Sequence, residues 1–596
     1  MVHGNARWAP IAVLMVGLAI APPVGVGAVE APSAGEILYN GIQLPAEWPP
    51  RQGPPTAEAM RVPWLEKPPA VIPIDVGRQL FVDDFLIAET DLKRAFHRPE
   101  PCPANPVVRP DKEWEQSGKG PFAAVFSDGV WYDPADRLFK MWYMAGTFDG
   151  TAYATSRDGI HWDKPALDVV EKGTNLVRRG WRDSQTVWLD LAEKEAARRY
   201  KLFTAVRAKE GHSFCLEVRT SPDGIRWSEP VAQSTACGDR STVFFNPFRQ
   251  KWVYSLRSSG PRGRDRAYRE CTDPIAGATW KAEELFPWVA SDGLDPHNPS
   301  PDFQNIQPQL YNLDAAPYES LLVGLFSVWQ GPENGQCAKL HIQKRNEVFV
   351  GFSRDGFHWY RPDRRPFIGV RPEKDAWNWG NVQSAGGGCL VVGDRLYFYH
   401  SGRALNDKFW DAQGSTGLEI LRRDGFASMD AGDAEGKLLT RPLKFSGKYL
   451  FVNADAARGE LAAEVVGEDG KIIEPFSRAN CRAVQADKTL QALTWKGSED
   501  LAPVGGRPVR LRFFLRSGAL YAFWVSPEKS GASGGYVAAG GPGFTGPTDT
   551  VGEGAYRAAE EMKQAVAYAF FSGSHSKTRW IILSQYPHSC SPGPSS

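Results

Sequence analysis

Short runs of Val, Leu, Phe, Tyr and Trp recur between residues 130 and 400, each bounded by turn-forming residues. The runs come in pairs separated by a polar turn, as expected for neighbouring antiparallel strands. The first members of five pairs are residues 130–134, 187–190, 243–247, 310–313 and 389–392, and their partners are 139–143, 200–203, 251–254, 320–324 and 395–399. This pattern predicts an all-β fold.

A seven-residue motif recurs at 156–162, 221–227 and 353–359, where it reads SRDGIHW, SPDGIRW and SRDGFHW. Gly accepts the positive φ of a tight turn, and the Ser and Asp side chains can accept hydrogen bonds from nearby backbone amides. Each copy therefore predicts a β-hairpin. Residues 423–426 keep the Arg-Asp-Gly-Phe part of the motif.

The spacing of the motif predicts how the hairpins are arranged. Asp158 and Asp223 are 65 residues apart, Asp355 and Asp424 are 69 apart, and Asp223 and Asp355 are 132 apart, close to two periods. A degenerate copy at 271–274, followed by a Trp at position 280, fills the gap. Five units of constant period with strand-turn-strand content favour a radial repeat, so we expect a five-bladed β-propeller over residues 76–435.

Outside the repeat the pattern changes. Residues 29–75 are rich in Pro and Ala and predict an extended segment, and a strand at 79–87 is expected to complete the last blade. Residues 436–528 contain short strands separated by turn signals, which is typical of a β-sandwich. The Gly-rich residues 529–596 are expected to be poorly ordered.

The N-terminal residues 1–28 have the features of a signal peptide. His3 and Arg7 precede an apolar run at 8–20, and small residues at 26–28 suit cleavage. The run is too short to span a bilayer, so the sequence predicts a secreted or periplasmic protein without membrane insertion.

Composition narrows the class of partner. The 69 basic residues equal the 69 acidic residues, which argues against nucleic acid as a partner. The 21 Trp residues could pack as hydrophobic wedges between the blades or provide flat surfaces on which sugar rings stack. The 10 His show no zinc spacing, and the 8 Cys lie far apart; they are isolated thiols or include a Cys237–Cys271 pair. No cofactor is predicted, although a structural Ca²⁺ in the funnel stays open, and the oligomeric state is not determined.

In a propeller, the residues that precede each innermost strand meet at one mouth of a central funnel. Asp183 and Asp239 each stand four residues before a Val-aromatic pair, Val187-Trp188 or Val243-Phe244, at the same point of two units. They are candidate catalytic acids, or alternatively caps of the strand starts. Glu270, between Arg269 and Cys271, is a third candidate acid or a surface ion pair. The candidate binding residues are Arg240, Glu115, Gln307, Glu319, Trp379 and Asn381.

Carboxylates, amides and Trp around one funnel suit a polyhydroxylated ligand. Glycoside hydrolysis needs two carboxyl groups, a proton donor and a nucleophile or base, and neighbouring acids raise the pKa of the donor. Asp183, Asp239 and Glu270 could supply such a set from adjacent units.

At Glu270-Cys271, near Asp273-Pro274, the chain resembles the five-bladed-propeller glycoside hydrolases of families 32 and 43. Family 32 carries a Glu-Cys acid/base motif, and these enzymes have a propeller followed by a sandwich. The family 32 nucleophile motif is absent, and residues 131–134 match only its Asp-Pro part, at a turn. The resemblance implies a secreted glycosidase acting on a polysaccharide or oligosaccharide, with Glu270 as acid/base and Asp183 and Asp239 as nucleophile or base and orienting group.

Three alternatives stay open. A non-catalytic propeller would bind glycans or a cell-surface partner. A propeller phosphorylase would need a basic phosphate pocket, for which Arg240 and Arg269 are available. The hairpin also resembles the Asp-box of sialidases but is one residue shorter, and five units do not fit their six-bladed ring.

Overall fold

The computed structural model describes residues 35–208, 213–405 and 412–572, and nearly all of its regular structure is β. The α-helices within these ranges are Pro63–Glu66, Asn334–Leu340 and Glu553–Ser572. Single 3₁₀ turns are Glu113–Gln116, Ala196–Arg198, Ala276–Ala278, Ala282–Glu284, Arg478–Asn480 and Ala502–Val504. The all-β prediction is confirmed. The predicted signal peptide lies outside the described residues, and no described helix is long and apolar enough to cross a membrane.

Five antiparallel sheets, numbered 1 to 5 here, follow one another along the chain. Sheet 1 contains, from the inner edge, Ala123–Ala124 and Val130–Asp133, then Leu138–Ala145, Gly150–Ser156 and Leu176–Arg178. Sheet 2 contains Gln185–Leu189, Tyr200–Arg207, Phe214–Ser221 and Ala232–Gln233. Sheet 3 contains Thr242–Asn246, Lys251–Gly260, Gly263–Cys271 and Phe286–Ala290.

The last two of these sheets each recruit a strand from elsewhere in the chain. Sheet 4 contains Gln309–Glu319, Leu321–Trp329 and Asn346–Ser353, with Tyr536–Val537 paired to the end of its first strand. Sheet 5 contains Gly380–Ser384 and Leu390–Val392, then Arg395–Arg403, Gly414–Arg422 and Glu100–Pro101. The last of these strands precedes sheet 1 in the chain, so it ties sheet 5 to the start of the repeat.

The strand predicted to have this closing role was placed wrongly at 79–87. Gln79–Leu80 instead pairs with Gly518–Ser526, and Ile87–Thr90 pairs with Gly436–Thr440. The closing strand, Glu100–Pro101, is only two residues long and exposed. It therefore carries no hydrophobic alternation that a sequence pattern could detect.

Hydrogen bonds join each of the five sheets to the next and the fifth to the first. Val187 N donates to Asp128 O between sheets 2 and 1 (2.6 Å), Ser184 Oγ to Ser241 O between sheets 2 and 3 (3.0 Å), and Thr242 Oγ1 to Leu313 O between sheets 3 and 4 (3.1 Å). Asn381 N donates to Lys344 O between sheets 5 and 4 (2.9 Å), and Val125 N donates to Thr416 Oγ1 between sheets 1 and 5 (3.1 Å).

The repeated motif forms the predicted turn. In Asp158, Asp223 and Asp355 the Oδ1 atom accepts hydrogen bonds from the two backbone amides that follow the Gly, at 2.8 to 2.9 Å. Asp273 accepts the equivalent two amides at 2.8 and 2.9 Å, which identifies the degenerate copy in the third unit. Asp424 differs, since its carboxylate binds Arg78 at 2.8 Å.

Aromatic side chains of one sheet anchor the turn of the next. Trp142 of sheet 1 donates its Nε1–H to the Gly224 carbonyl of sheet 2 at 2.7 Å, and Tyr399 of sheet 5 donates its hydroxyl to Gly159 of sheet 1. Trp288 of sheet 3 donates to a turn carbonyl of sheet 4 at 2.6 Å. The aromatic surplus is therefore largely structural.

Two further sheets share a second core. Sheet 6 contains Asp487–Ala492, Tyr449–Asp455, Gly518–Ser526, Ala427–Ala431, Lys93–Phe96 and Gln79–Leu80. Sheet 7 contains Ile87–Thr90, Gly436–Thr440, Arg510–Arg516 and Glu460–Val466. A parallel pair, Ile72–Pro73 with Leu443–Lys444, lies beside them. Phe513 of sheet 7 meets Phe523 of sheet 6 with ring centroids 5.4 Å apart, inside the shared core.

The prediction of a poorly ordered tail is wrong for residues 529–551. Val537, Ala539 and Phe544 are buried, and the Ala539 backbone hydrogen-bonds Tyr132 N of sheet 1 and Cys389 O of sheet 5. This segment therefore covers the end of the five-sheet array where the first strands finish. Its glycines allow this close approach because they have no side chain between the backbones. Residues 573–596 lie outside the described part.

Candidate functional site

Residues on or near the first strands of sheets 1, 3, 4 and 5 meet in a buried polar network. Ser127 of sheet 1 accepts hydrogen bonds from Asn312 Nδ2 (2.9 Å) and Arg240 Nη2 (3.0 Å) and donates one to Asp314 Oδ2 (3.1 Å). Ser384 of sheet 5 donates to the same Asp314 oxygen at 2.6 Å. Four of the five sheets thus meet at two side chains, and burial raises the pKa of Asp314 despite these donors.

A buried ion pair lies next to this network. Arg182, just before sheet 2, binds Asp128 of sheet 1 through two bonds of 2.7 and 2.5 Å, and neither side chain is exposed. Burial raises the pKa of Asp128 to about 6, although Arg182 favours its charged form. Arg182 Nε also donates to the carbonyl of Asp183 at 3.0 Å, so the ion pair holds the backbone of the neighbouring acid.

Asp183 is the acid whose environment is most unusual. The residue is 8% exposed, and its Oδ1 atom is buried with no hydrogen-bond partner among the described residues. Burial, followed by the nearby charge of Asp239, raises the pKa of Asp183 to about 7; Arg240, Arg182 and Lys344 oppose the shift. A carboxyl group in this state is half protonated near neutral pH and can donate a proton.

Asp239 stands beside Asp183 from the next sheet. The Asp239 carbonyl accepts a hydrogen bond of 2.7 Å from Ser184, which joins the two segments. Its carboxylate lies 3.5 Å from Arg257 and is 31% exposed. The sequence-based pairing of Asp183 and Asp239 at one place is thus seen in the structure, and the two side chains differ in exposure.

An aromatic cluster surrounds Trp181, two residues before Asp183 in the chain. Trp181 is 36% exposed and stacks on Phe148 with centroids 6.2 Å apart, and its ring centroid lies 5.9 Å from that of Phe214. The Arg207 guanidinium lies 4.8 Å from the Trp181 ring. An exposed indole held by its neighbours offers a flat apolar surface of the kind that sugar rings stack on.

Glu270 does not lie with Asp183 and Asp239. It is on the third strand of sheet 3, level with Val253 and Phe244, whereas Asp239 precedes the first strand. Its carboxylate binds Arg249 Nη1 at 2.5 Å and Tyr268 Oη at 2.6 Å. The expectation that Glu270 joins the two Asp residues is therefore wrong. Two strand spacings, roughly 10 Å, separate Glu270 from the first strand of sheet 3. Its partners, Arg249 and Tyr268, hold it within the sheet.

Two other predicted binding residues are buried structural groups. Glu115 has no exposed side-chain surface and accepts hydrogen bonds from Tyr143 and the backbone amides of residues 111 and 112, with Lys164 2.7 Å away. Glu319 is at the finishing end of its strand, where Arg78, Arg423 and Ser533 surround it. Both predictions are wrong about position because these side chains face packed interfaces.

The remaining predicted binding residues lie in the central network or at the starts of sheets 4 and 5. Arg240 lies in the central network, with its guanidinium carbon 3.8 Å from the Phe126 ring centroid. Asn381 accepts hydrogen bonds from Asn346 and Gln383 at 2.7 and 2.9 Å, so its side-chain oxygen is already engaged. Trp379 is half-buried before sheet 5, and Gln307 is exposed before sheet 4.

Several residues at the mouth were missed by sequence reasoning. Asp128 stands only two residues before the Val-aromatic pair Val130-Trp131, so the four-residue spacing shared by Asp183 and Asp239 does not identify it. Trp181 sits two residues before Asp183 and would have been found by looking further upstream. Lys344 and Arg403 have no such signal, because Lys344 lies just before the third strand of sheet 4 and Arg403 ends the second strand of sheet 5, so neither precedes a first strand.

No metal site is evident. Among the described residues, no group of three or more His, Cys, Asp or Glu side chains could hold a metal ion, and the described cysteines are free thiols, Cys237 and Cys271 included. A cavity of about 910 Å³ lies elsewhere, between residues 52–66 and the outer parts of sheets 3 and 4. It contains neither Asp183 nor Asp239.

No family model and no curated protein matches this chain. Similar solved structures include a thermostable family-43 glycoside hydrolase (10% identity, 52% of this chain and 94% of that chain, TM-score 0.34), the Bombyx mori GH32 β-fructofuranosidase BmSUC1 (11%, 72% and 95%, 0.35) and an N-acetylgalactosamine deacetylase from F. plautii (14%, 59% and 97%, 0.35). Families 32 and 43, named from the sequence, are both among them. At TM-scores below 0.5 these similarities assign neither an activity nor a substrate to this chain.

Proposed function

We propose that sheets 1 to 5 form a five-bladed β-propeller, that sheets 6 and 7 form a β-sandwich, and that the propeller mouth cleaves glycosidic bonds. The ring of hydrogen bonds from sheet 1 through sheet 5 and back supports the first part. The shared core of sheets 6 and 7 supports the second. The segment 529–551 covers the opposite end, which leaves the mouth at Asp183 and Asp239 as the place for a ligand.

The roles of the two acids follow from their surroundings. Asp183, whose pKa is raised to about 7, is the proton donor to the glycosidic oxygen. Asp239, which is more exposed and lies beside Arg257, is the nucleophile or the base that activates water. Asp128 and Arg182 are positioning residues, because Arg182 holds the carbonyl of Asp183. Trp181 is a platform for a sugar ring.

One observation carries the proposal: a buried carboxyl group with an unpartnered oxygen stands beside a second, more exposed carboxylate from the next sheet. A structural acid in a core is normally hydrogen-bonded or ion-paired. An acid left without a partner, next to a second acid that raises its pKa, matches the requirement of a general acid rather than that of a strand cap.

The test is a screen of aryl glycosides and polysaccharides with the wild-type protein, followed by variants on any substrate found. We expect Asp183→Asn to lower kcat by about 10²- to 10⁴-fold, the usual contribution of a general acid. Glu270→Gln is the matched control and should retain activity within about twofold. Equal activity of Asp183→Asn and wild type would refute the assignment, and binding without any cleavage would favour the non-catalytic alternative.

A further inference from the structure

Three buried cations near Asp183 form no direct ion pair with a described carboxylate. Arg240, Lys344 and Arg403 are each at least nine-tenths buried, and none forms an ion pair with a described residue. They come from three different sheets or the loops between them. Because an unpaired buried charge is costly, such a cluster needs a compensating group.

Arg403 is the clearest case. It ends the second strand of sheet 5, its Nη1 atom is buried without a hydrogen-bond partner, and its guanidinium carbon lies 4.7 Å from the Phe122 ring centroid. Burial lowers the pKa of Arg403 to about 10, and Tyr311 is the only described group that opposes the shift. Arg403 therefore neutralises no acid of the described protein.

Lys344 and Arg240 face the same tyrosine. Lys344 donates to the Tyr311 hydroxyl at 2.7 Å and lies 4.5 Å from its ring centroid. The Arg240 guanidinium carbon is 5.9 Å from that ring, and its Nε and Nη1 atoms have no hydrogen-bond partner. Tyr311 thus places the three cations around one point beside Asp183, whose charged form Lys344 and Arg240 favour.

Several other buried arginines of the described residues are paired with carboxylates. Arg182 binds Asp128, Arg354 binds Asp83, and Arg78 binds Asp424, in each case at 2.8 Å or less. Arg266 is fully buried as well and forms no ion pair with a described residue, but its guanidinium donates hydrogen bonds to Ser255 and to the Arg240 carbonyl. Arg403 differs from Arg266, because its buried Nη1 atom has no hydrogen-bond partner among the described residues.

We propose that the ligand of the mouth is a saccharide that carries an anionic substituent, a carboxylate or a sulfate ester, and that Arg403 and Lys344 bind this group. This inference rests on the proposed function, since it assigns a substrate class to the same site. A planar guanidinium matches a carboxylate or sulfate in two parallel hydrogen bonds, and a neighbouring ammonium adds a third. The Phe122 ring lies against the Arg403 guanidinium and the Phe126 ring against that of Arg240.

The test is calorimetric binding to matched pairs of polysaccharides, using the Asp183→Asn variant so that no substrate is consumed. One set contains uronic-acid polysaccharides before and after reduction of their carboxyl groups to neutral sugars. The other contains sulfated polysaccharides before and after desulfation. We expect one charged member to bind at least tenfold more tightly than its neutral mate, and the set in which this happens identifies carboxylate or sulfate.

Variants then show which residues cause the tighter binding of the charged polysaccharide. In the Asp183→Asn background, Arg403→Gln and Lys344→Met should each weaken binding of the charged member about tenfold and leave its neutral mate unaffected. Arg403→Lys should restore part of the preference. Arg365→Gln, which removes an exposed arginine paired with Asp363, is the matched control and should change nothing. Thermal melting checks that each variant is folded.

Three results would overturn the inference. The first is that both members of every pair bind equally well, and the second is that the charge preference survives Arg403→Gln and Lys344→Met. The third is that inorganic phosphate binds and accelerates cleavage of a neutral glycoside. The last would mean that the cations hold a co-substrate. If neutral glycosides are cleaved in an Asp183-dependent manner without any charge preference, the inference fails while the proposed function stands. If charged polysaccharides bind through Arg403 but none is cleaved, the inference stands and the proposed hydrolysis fails.

Discussion

Replacing Asp183 with Asn should stabilise the folded protein at neutral and alkaline pH. The substitution keeps the shape of the side chain and removes a carboxyl group whose pKa is raised to about 7 by burial and by Asp239. A raised carboxyl pKa means that the folded state prefers the neutral form. Ionisation of Asp183 therefore opposes folding, and Asn cannot ionise.

The size of the effect follows from the two pKa values. Below about pH 4, the group is protonated in both folded and unfolded protein and contributes nothing. As the pH rises from about 4 to 7, the unfolded chain ionises first, and at about 1.4 kcal/mol for each unit of pKa difference the penalty grows to about 4 kcal/mol above pH 7. With an unfolding entropy of about 2.1 cal/mol/K per residue, this corresponds to about 3 °C in Tm if the whole chain unfolds together.

The assay is thermal unfolding followed by Trp fluorescence for wild type and Asp183→Asn at pH 5 and pH 8. We expect the variant to melt above the wild type at pH 8 and the difference to shrink at pH 5. A paired acid supplies the control: Asp424→Asn breaks the buried ion pair with Arg78, which helps to hold the pKa of Asp424 below its usual value, and should lower Tm at both pH values. If Asp183→Asn melts below the wild type at pH 8, the carboxylate is a stabilising cap and the reasoning about a general acid is refuted.

Three further predictions concern the neighbours of Asp183. Asp239→Asn should lower the pKa of Asp183, because it removes a nearby negative charge; an NMR titration of the Asp183 carboxyl carbon would then have a lower midpoint, and an unmoved midpoint would show that the two acids do not interact. Trp181→Ala should raise KM about 3- to 10-fold with little change in kcat, as expected for loss of about 0.5–1.5 kcal/mol of ring stacking; a fall in kcat alone would contradict a platform role. Asp549→Asn should cost about 3–5 kcal/mol in urea unfolding, since it leaves the fully buried Arg423 short of a partner; an unchanged midpoint would mean that the segment 529–551 does not hold the five sheets together.

The strands and turns of the five sheets were predictable because their signals are local. A Val-aromatic pair followed by a polar turn describes a strand start whatever surrounds it, and the Ser and Asp of the repeated motif accept amides only two or three residues away. Even the degenerate copy at Asp273 keeps this geometry. The same local logic placed Asp183 and Asp239 at equivalent points of neighbouring sheets.

Residues whose role depends on distant partners could not be placed in this way. Glu270 and Glu319 look like free acids in the sequence, yet the fold gives them Arg249 and Arg78 as partners. The Gly-rich residues 529–551 contain too few apolar side chains for the sequence to predict that they pack. Several of them are nevertheless buried, because the segment packs against the finishing ends of the first strands. Arg403 could not be identified either, because its distinguishing feature is the lack of a carboxylate around it.

The amino-acid sequence by itself determined the all-β character, the hairpin turns and the recurrence of an acid before the first strand, since each depends on residues within a few positions of one another. Only the tertiary structure decided which of the candidate acids meet, which are neutralised by arginines from other parts of the chain, and which end of the five-sheet array the segment 529–551 covers. Burial and charge compensation depend on everything that surrounds a side chain, and those surroundings exist only once the chain has folded.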